Sequence, residues 1–299
     1  MTSSVATRSP VRRPPAQRPP TPRRRAARRT AKTISRYGLV IALALVFFFP
    51  FLAMVSTAFK TEGEIFSVPP TLLPGEFTLE NFAAVFDRVP VWRYLGNTLV
   101  VAGLSVVGSV VSCSLVAYSL SKVPWAGARP MLLVVMGTMM LPPQVTMIPV
   151  YLIWNGLGAV GTLAPLIVPT FFGTPFLIYM IRQFLLGVPN DVIEAGRLDG
   201  ASELRIFLTI VMPLVRPVVI TAAVFQFVWS WTDFLNPLIY LNDPDQYTLS
   251  IGLYAFFGEN TVAWGPLMAA CVMFTLPAVV IFLICQRYFI GGAAAGAIK

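Results

Sequence analysis

Glu194, Arg197 and Asp199 fall close together between two long apolar runs, with Ala195, Gly196 and Gly200 interleaved among them. The residue types that bond-making would need are missing elsewhere. The chain has no histidine, which removes the commonest general base and the commonest metal ligand. Without histidine there is no Ser-His-Asp set. No G-x-x-x-x-G-K-[ST] sequence occurs, so ATP phosphates find no P-loop. Cys113, Cys271 and Cys285 lie inside apolar runs as small hydrophobes, without metal-ligand spacing. An enzyme is not expected, nor a metal or cofactor bound by this chain.

The cluster itself reads as a helix. After Val188-Pro189-Asn190, Asp191 is expected as N-cap with Glu194 three residues on, close to a capping box. The helix that follows puts Gly196 and Gly200 on one face. Glycine inside a helix costs about 1 kcal/mol against alanine. Either another backbone approaches there, or the helix ends at Gly200. Glu194 and Arg197 are spaced i, i+3, a pair worth a few tenths of a kcal/mol. Two readings stay open on these residues alone: a helix that docks a soluble partner, and a solvated loop helix.

Other polar groups inside apolar runs are neutral: Gln144, Gln226, Ser230 and Asn236. Hydrogen bonding between helices accounts for such residues in membrane bundles, and Gln144 and Gln226 are also candidates to touch a transported substrate. Ion-coupled carriers place titratable groups near the bilayer midplane. Here Arg216 and Asp233 stand at opposite ends of one apolar run, and the interiors hold essentially none.

The elements that must position these residues are membrane helices. Of 299 residues 56% are hydrophobic and 12% charged, with a mean hydropathy of +0.74. A soluble domain is about a quarter charged. Residues 37–59, 94–121 and 260–286 are uncharged and each long enough to span. Residues 130–181 are an uncharged run read as two spans, with the turn between Asn155 and Thr162. A further span runs from Phe207 to Trp231, where Arg216 can snorkel. Six spans are expected. The first, with its apolar core from Leu39 to Thr57, is too long for a cleavable signal segment. Pro142, Pro143, Pro149, Pro165, Pro169, Pro175, Pro217 and Pro277 punctuate the later spans. They read equally as kinks lining a cavity or as ordinary proline in a bundle.

Charge orients the bundle. Residues 1–36 hold eleven of the 22 Lys and Arg, no acid and six prolines. This tail is expected to be disordered and to fix topology against an anionic inner leaflet rather than to bind nucleic acid. Lys122, Arg129, Arg182, Arg197, Arg205, Arg216, Arg287 and Lys299 then fall on the same side, leaving Lys60, Arg88 and Arg93 outside. Both termini are expected in the cytoplasm. In the outside segment 60–93, Thr78 is expected to cap a short helix with Leu79, Phe82, Ala83 and Phe86 as its apolar stripe. That stripe is expected to pack on a partner subunit rather than lie on the membrane surface.

Glu194-Ala195-Gly196, then Gly200, then nine residues to Ile210 and Pro213 resembles the EAA signature of permease subunits in ABC importers. The chain departs from that pattern at Gly196, where the family has alanine, and at Met212, where it has leucine. Further stretches are similar to the sugar-uptake branch, the maltose-type permeases. They include Phe77-Thr78-Leu79-Glu80-Asn81-Phe82, Gln144-Val145-Thr146-Met147-Ile148-Pro149, Leu198-Asp199-Gly200-Ala201-Ser202 and Trp231-Thr232-Asp233-Phe234. In all, residues 35–299 carry the likeness.

The resemblance implies an all-α membrane protein: six transmembrane helices in the type I ABC importer permease fold, over residues 37–299, with a coupling loop at 182–212. It implies a multi-pass subunit of the bacterial plasma membrane that forms half of the path for a di- or oligosaccharide. Its expected partners are a second, homologous permease, two ATPase subunits that bind ATP and magnesium, and an extracytoplasmic solute-binding protein. Glu194, Ala195, Gly196, Arg197, Asp199 and Gly200 would couple to the ATPase. Tyr254, Gly258 and Asn260 would meet the binding protein. The alternatives are the same machine moving a glycerol phosphodiester or another polar solute, and an ion-coupled carrier.

Overall fold

The structure, a computed structural model, describes residues 22–258 and 261–296 and, among them, no named strand. Fourteen α-helices follow in order: α1 Pro22–Ala58, α2 Glu62–Ile65, α3 Glu80–Arg88, α4 Val91–Lys122, α5 Ala128–Thr138, α6 Pro143–Gly156 and α7 Ala164–Ile167. They continue with α8 Pro175–Leu186, α9 Asn190–Leu198, α10 Glu203–Ile206, α11 Met212–Thr232, α12 Leu235–Tyr240, α13 Leu249–Gly252 and α14 Trp264–Gly296. Two compact units divide at Ala53.

The first unit holds most of α1. Its apolar side chains from Leu39 to Phe49 stand exposed within the chain, Phe47 at 80%, as side chains in contact with lipid tails do. The helix begins at Pro22, so residues 22–36 are helical rather than disordered. Past Pro22 no proline interrupts the run, and arginine and alanine are good helix formers. The rest of the expected tail, residues 1–21, lies outside the described residues.

The second unit is built around α4. Toward its Lys122 end, Cys113, Ala117 and Tyr118 pack with Leu177, Ile181 and Leu185 of α8 and with Val211, Val215 and Ala222 of the α11 stretch. Toward its Val91 end, Tyr94 and Ala102 pack with Trp231, Phe256 and, from α14, Leu267, Ala270 and Phe274. The Trp231 indole N–H donates to the Phe274 carbonyl at 2.8 Å, which places a polar group inside this apolar cluster at no desolvation loss.

Among the described residues five helical stretches are long and apolar enough to cross a membrane: Ser35–Ala58, Val91–Lys122, Ala164–Leu186, Glu203–Thr232 and Trp264–Arg287. The sixth expected span is broken: α5 and α6 meet at 99° across Met139–Pro142. Pro142 is extended, with ψ at 133°, and Pro143 opens α6. Consecutive prolines supply no N–H for a continuing helix and hold the residue before them out of the α region. The expected turn after Asn155 is present, with Gly158 and Gly161 both at positive φ.

Helix α3 begins at Glu80, and Thr78 Oγ1 accepts from the Glu80 N–H at 3.1 Å. Its buried face is Phe82, Val85 and Val89 rather than the expected stripe, since Leu79 and Phe86 are exposed. That face packs within the chain, in the cluster that holds Leu267 and Ala270 of α14, rather than on a partner subunit.

Candidate functional site

Helix α9 carries the charged cluster. Pro189, with ψ at 136°, delivers an extended chain straight into Asn190, and no side chain caps the helix. Asp191 therefore does not act as the N-cap; it sits in the first turn, where its charge complements the helix dipole. At the other end the chain closes a Schellman motif. The Ala201 N–H donates to the Gly196 carbonyl at 3.1 Å and the Gly200 N–H to the Arg197 carbonyl at 3.0 Å. Gly200 holds φ at +77°, a left-handed conformation that glycine adopts without penalty. The two glycines thus have separate reasons. Gly200 ends the helix, and Gly196 is buried where a Cβ would stand 3.0 Å from Ile210 Cδ1 and 3.2 Å from Ile206 Cγ1.

Ile193 and Gly196 face inward, while Glu194, Ala195, Asp199 and Gly200 are exposed. Two apolar side chains join that outer face: Val192, and Leu198 at 89% exposure. Leu198 stands beside the helix-ending Asp199-Gly200, and the pattern of charges gave no sign of its exposure.

Arg197 does not pair with Glu194. Its Nε donates to Glu203 Oε1 at 2.6 Å, and this bond holds the guanidinium above its ordinary pKa. A second nitrogen of Arg197 donates to the Lys122 carbonyl at 3.1 Å. Glu203 Oε2 accepts from the Tyr118 hydroxyl at 2.7 Å. Lys122 Nζ reaches the start of α9, donating to the Val188 carbonyl at 2.6 Å and to Asn190 Oδ1 at 2.7 Å. Lys122, Asn190, Glu194 and Arg197 share the lining of a cavity of about 270 Å³. Tyr118, Lys122 and Glu203 are invisible as a group in the sequence because they are far apart along the chain.

A larger cavity, about 440 Å³, opens between α6, α7, α11 and α12. Trp154, Trp229 and Tyr240 supply aromatic surface, and Gln226, Ser230, Asp233 and Asn236 supply polar groups. Gln226 is buried, accepting from the Ser109 hydroxyl at 2.8 Å and donating to Ser230 Oγ at 3.0 Å. Asp233 accepts from Asn236 Nδ2 at 2.8 Å. Gln144, the other candidate for substrate contact, is exposed near the start of α6 and does not line this cavity. The part of α6 that does line it is farther along the helix, at Val150 and Trp154.

The segment expected to meet a binding protein follows α13. Tyr254 is 63% exposed and stacks on Phe257 with ring centroids 6.1 Å apart. The Gly258 N–H donates to the Thr261 carbonyl at 2.8 Å, beside an antiparallel bridge between Phe257 and Val262. Asn260 lies outside the described residues.

The family described as binding-protein-dependent transport system inner membrane component matches residues 111–292, a stretch that contains α9 and the larger cavity. The melibiose/raffinose/stachyose import permease MelC of Bacillus subtilis is 31% identical over 276 residues, covering 91% of this chain and 99% of its own. The arabinooligosaccharides transport system permease AraQ of Halalkalibacterium halodurans is 32% identical over 277 residues, with coverage of 91% and 99%. Among solved structures, a chain of a bacterial ABC transporter that imports the acidic polysaccharide alginate superposes with a TM-score of 0.78 at 22% identity. That match covers 87% of this chain and 97% of the other. The fold, the multi-pass helices and the matched stretch agree, and the chain belongs to the family of inner-membrane permease components of binding-protein-dependent transport systems.

Proposed function

We propose that this permease is one of two transmembrane subunits of an ATP-driven importer, and that its cargo is a neutral di- or oligosaccharide. The observation that carries the reading is α9: a short helix with an exposed charged and apolar face, held at both ends, on a chain without a nucleotide motif. ATP and magnesium belong to a pair of ATPase subunits, and α9 seats in them. Glu194 and Asp199 offer charge, Val192 and Leu198 offer apolar contact, and Gly200 allows the chain to leave the groove sharply. When nucleotide closes the ATPases, α9 moves and the bundle switches the side to which its cavity opens. Nucleotide drives the switch by binding one state more tightly than the other. Both termini and α9 are cytoplasmic, and the segment at Tyr254 and Gly258 faces a solute-binding protein outside.

The cargo reading rests on relatives that import sugars and on the larger cavity. Aromatic faces beside a few fixed amides and hydroxyls suit a ring with apolar faces and a rim of hydroxyls. Asp233 lines that cavity and no Lys or Arg does, which disfavours a glycerol phosphodiester.

Cysteine cross-linking tests the docking. With Glu194→Cys or Leu198→Cys in the full complex, a cross-link to the ATPase subunit that depends on nucleotide state is expected. Its absence at both positions, in a complex that still transports, refutes the assignment.

A further inference from the structure

Two sets of hydrogen bonds, one at each end of α4, fix that helix to chain segments that are otherwise remote from each other. At the Lys122 end, α9 is tied down twice. Its start is held by Lys122 Nζ, through the Val188 carbonyl and Asn190 Oδ1. Its last turn is held by Arg197, through the Lys122 carbonyl and through Glu203, whose other oxygen takes the Tyr118 hydroxyl. Tyr118 is 4% exposed and packs on Phe207 at 5.3 Å between ring centroids, so the anchor point on α4 is itself part of the core. At the Val91 end, Asn97 Nδ2 donates to the carbonyls of Asp245 and Tyr247 at 2.8 and 2.9 Å. The Leu249 N–H donates to Thr98 Oγ1 at 2.9 Å, and Thr98 is 1% exposed. Arg93 pairs with Asp245. α4 is 32 residues of unbroken helix, and from Asn97 to Lys122 it spans about 38 Å at 1.5 Å per residue.

The alternative route from α9 runs through α10 and α11, on which Gly196 packs by way of Ile206 and Ile210. After Gly200 come four residues of α10 and then a π-turn, Phe207–Val211, before α11 proper. A π-turn is one of the places where a helix kinks. We propose that α4 is the strut that makes α9 and the segment 243–257 move together, with Glu203 as the positioning residue that locks α9 onto it. The proposal rests on the docking reading of α9. It requires that displacement of α9 be passed to the far face through α4 rather than through α11.

The test uses the full complex with its binding protein, a bimane label on Tyr254→Cys, and ATP, magnesium and vanadate as the trap. The label should respond to trapping in the unsubstituted background. In Glu203→Gln and in the milder Tyr118→Phe the response at residue 254 should fall at least five-fold while the amount of trapped nucleotide stays within two-fold. Asn97→Ala, at the opposite end, should do the same, and Glu203→Gln with Asn97→Ala should be no worse than either alone, because one broken strut cannot be broken twice. A merely structural role would lower trapping and the response together. An undiminished response in the variants, a multiplicative loss in the double variant, or no response in the unsubstituted complex overturns the proposal. Failure of the docking reading is separate: Gly200→Val would then leave both trapping and the label response intact.

Discussion

The backbone of Gly196 lies against the side chain of Ile210, so close that a methyl group on the glycine would come within 3.0 Å of Ile210 Cδ1. The spacing between the start of the signature and its isoleucine therefore has a physical meaning. Ile206 and Ile210, one helical turn apart, form the seat for a small residue of α9, and the Schellman turn at Gly200 sets the angle at which α9 drops onto them.

At Gly196 alanine should be accepted. Its Cβ meets only isoleucine side-chain atoms, Ile210 Cδ1 and Ile206 Cγ1, which need shift by a few tenths of an ångström, and helix propensity favours alanine by about 1 kcal/mol. Transport by Gly196→Ala should stay near the starting level, with thermal stability within about 1 kcal/mol. Gly196→Leu overfills the seat at a cost of about 1–3 kcal/mol and should lower the melting temperature of the purified complex.

Gly200 behaves differently because no atom lies within 4 Å of its Cβ position. Only backbone strain counts there, about 1–2 kcal/mol for an L residue in the left-handed region. Gly200→Val should reorient the end of α9 and reduce both ATPase co-purification and uptake. Gly200→Asn, which tolerates that conformation, should largely restore them.

Gln226 joins Ser109 of α4 to Ser230 within the wall of the larger cavity. Gln226→Leu removes both bonds and leaves the Ser109 hydroxyl buried, at roughly 1–2 kcal/mol. Trp229→Ala, by contrast, opens the wall and leaves the bonds of Gln226 to Ser109 and Ser230 in place. The expected separation is a lower melting temperature for Gln226→Leu and a raised KM with little melting change for Trp229→Ala.

Trp231→Phe keeps the aromatic surface of the Val91-end core but loses the bond to the Phe274 carbonyl. About 1 kcal/mol of destabilisation is expected, readable as a fall in melting temperature with transport kinetics preserved. Arg93→Ala should change stability by less than about 1 kcal/mol, since both partners of the Arg93–Asp245 pair are more than half exposed.

Composition and spacing alone determined that this is a helical membrane protein, because runs of uncharged residues long enough to cross a bilayer have no other stable use. They also determined where the charged helix lies, since Pro189 and Gly200 bound it in the chain. They did not determine its partners within the fold. Glu194 is the nearest carboxylate to Arg197 along the helix, yet Glu203 takes the arginine, because the turn at Gly200 brings α10 back over the last turn of α9. Lys122 and Tyr118 enter the same network from a helix some seventy residues earlier. Pairwise rules along one helix cannot see such contacts; they exist only once the elements pack. The break before α6 is of the same kind. Pro142 and Pro143 announced an interruption, but its 99° angle, and which residues of α6 reach the cavity that holds Gln226, were decided by the tertiary structure.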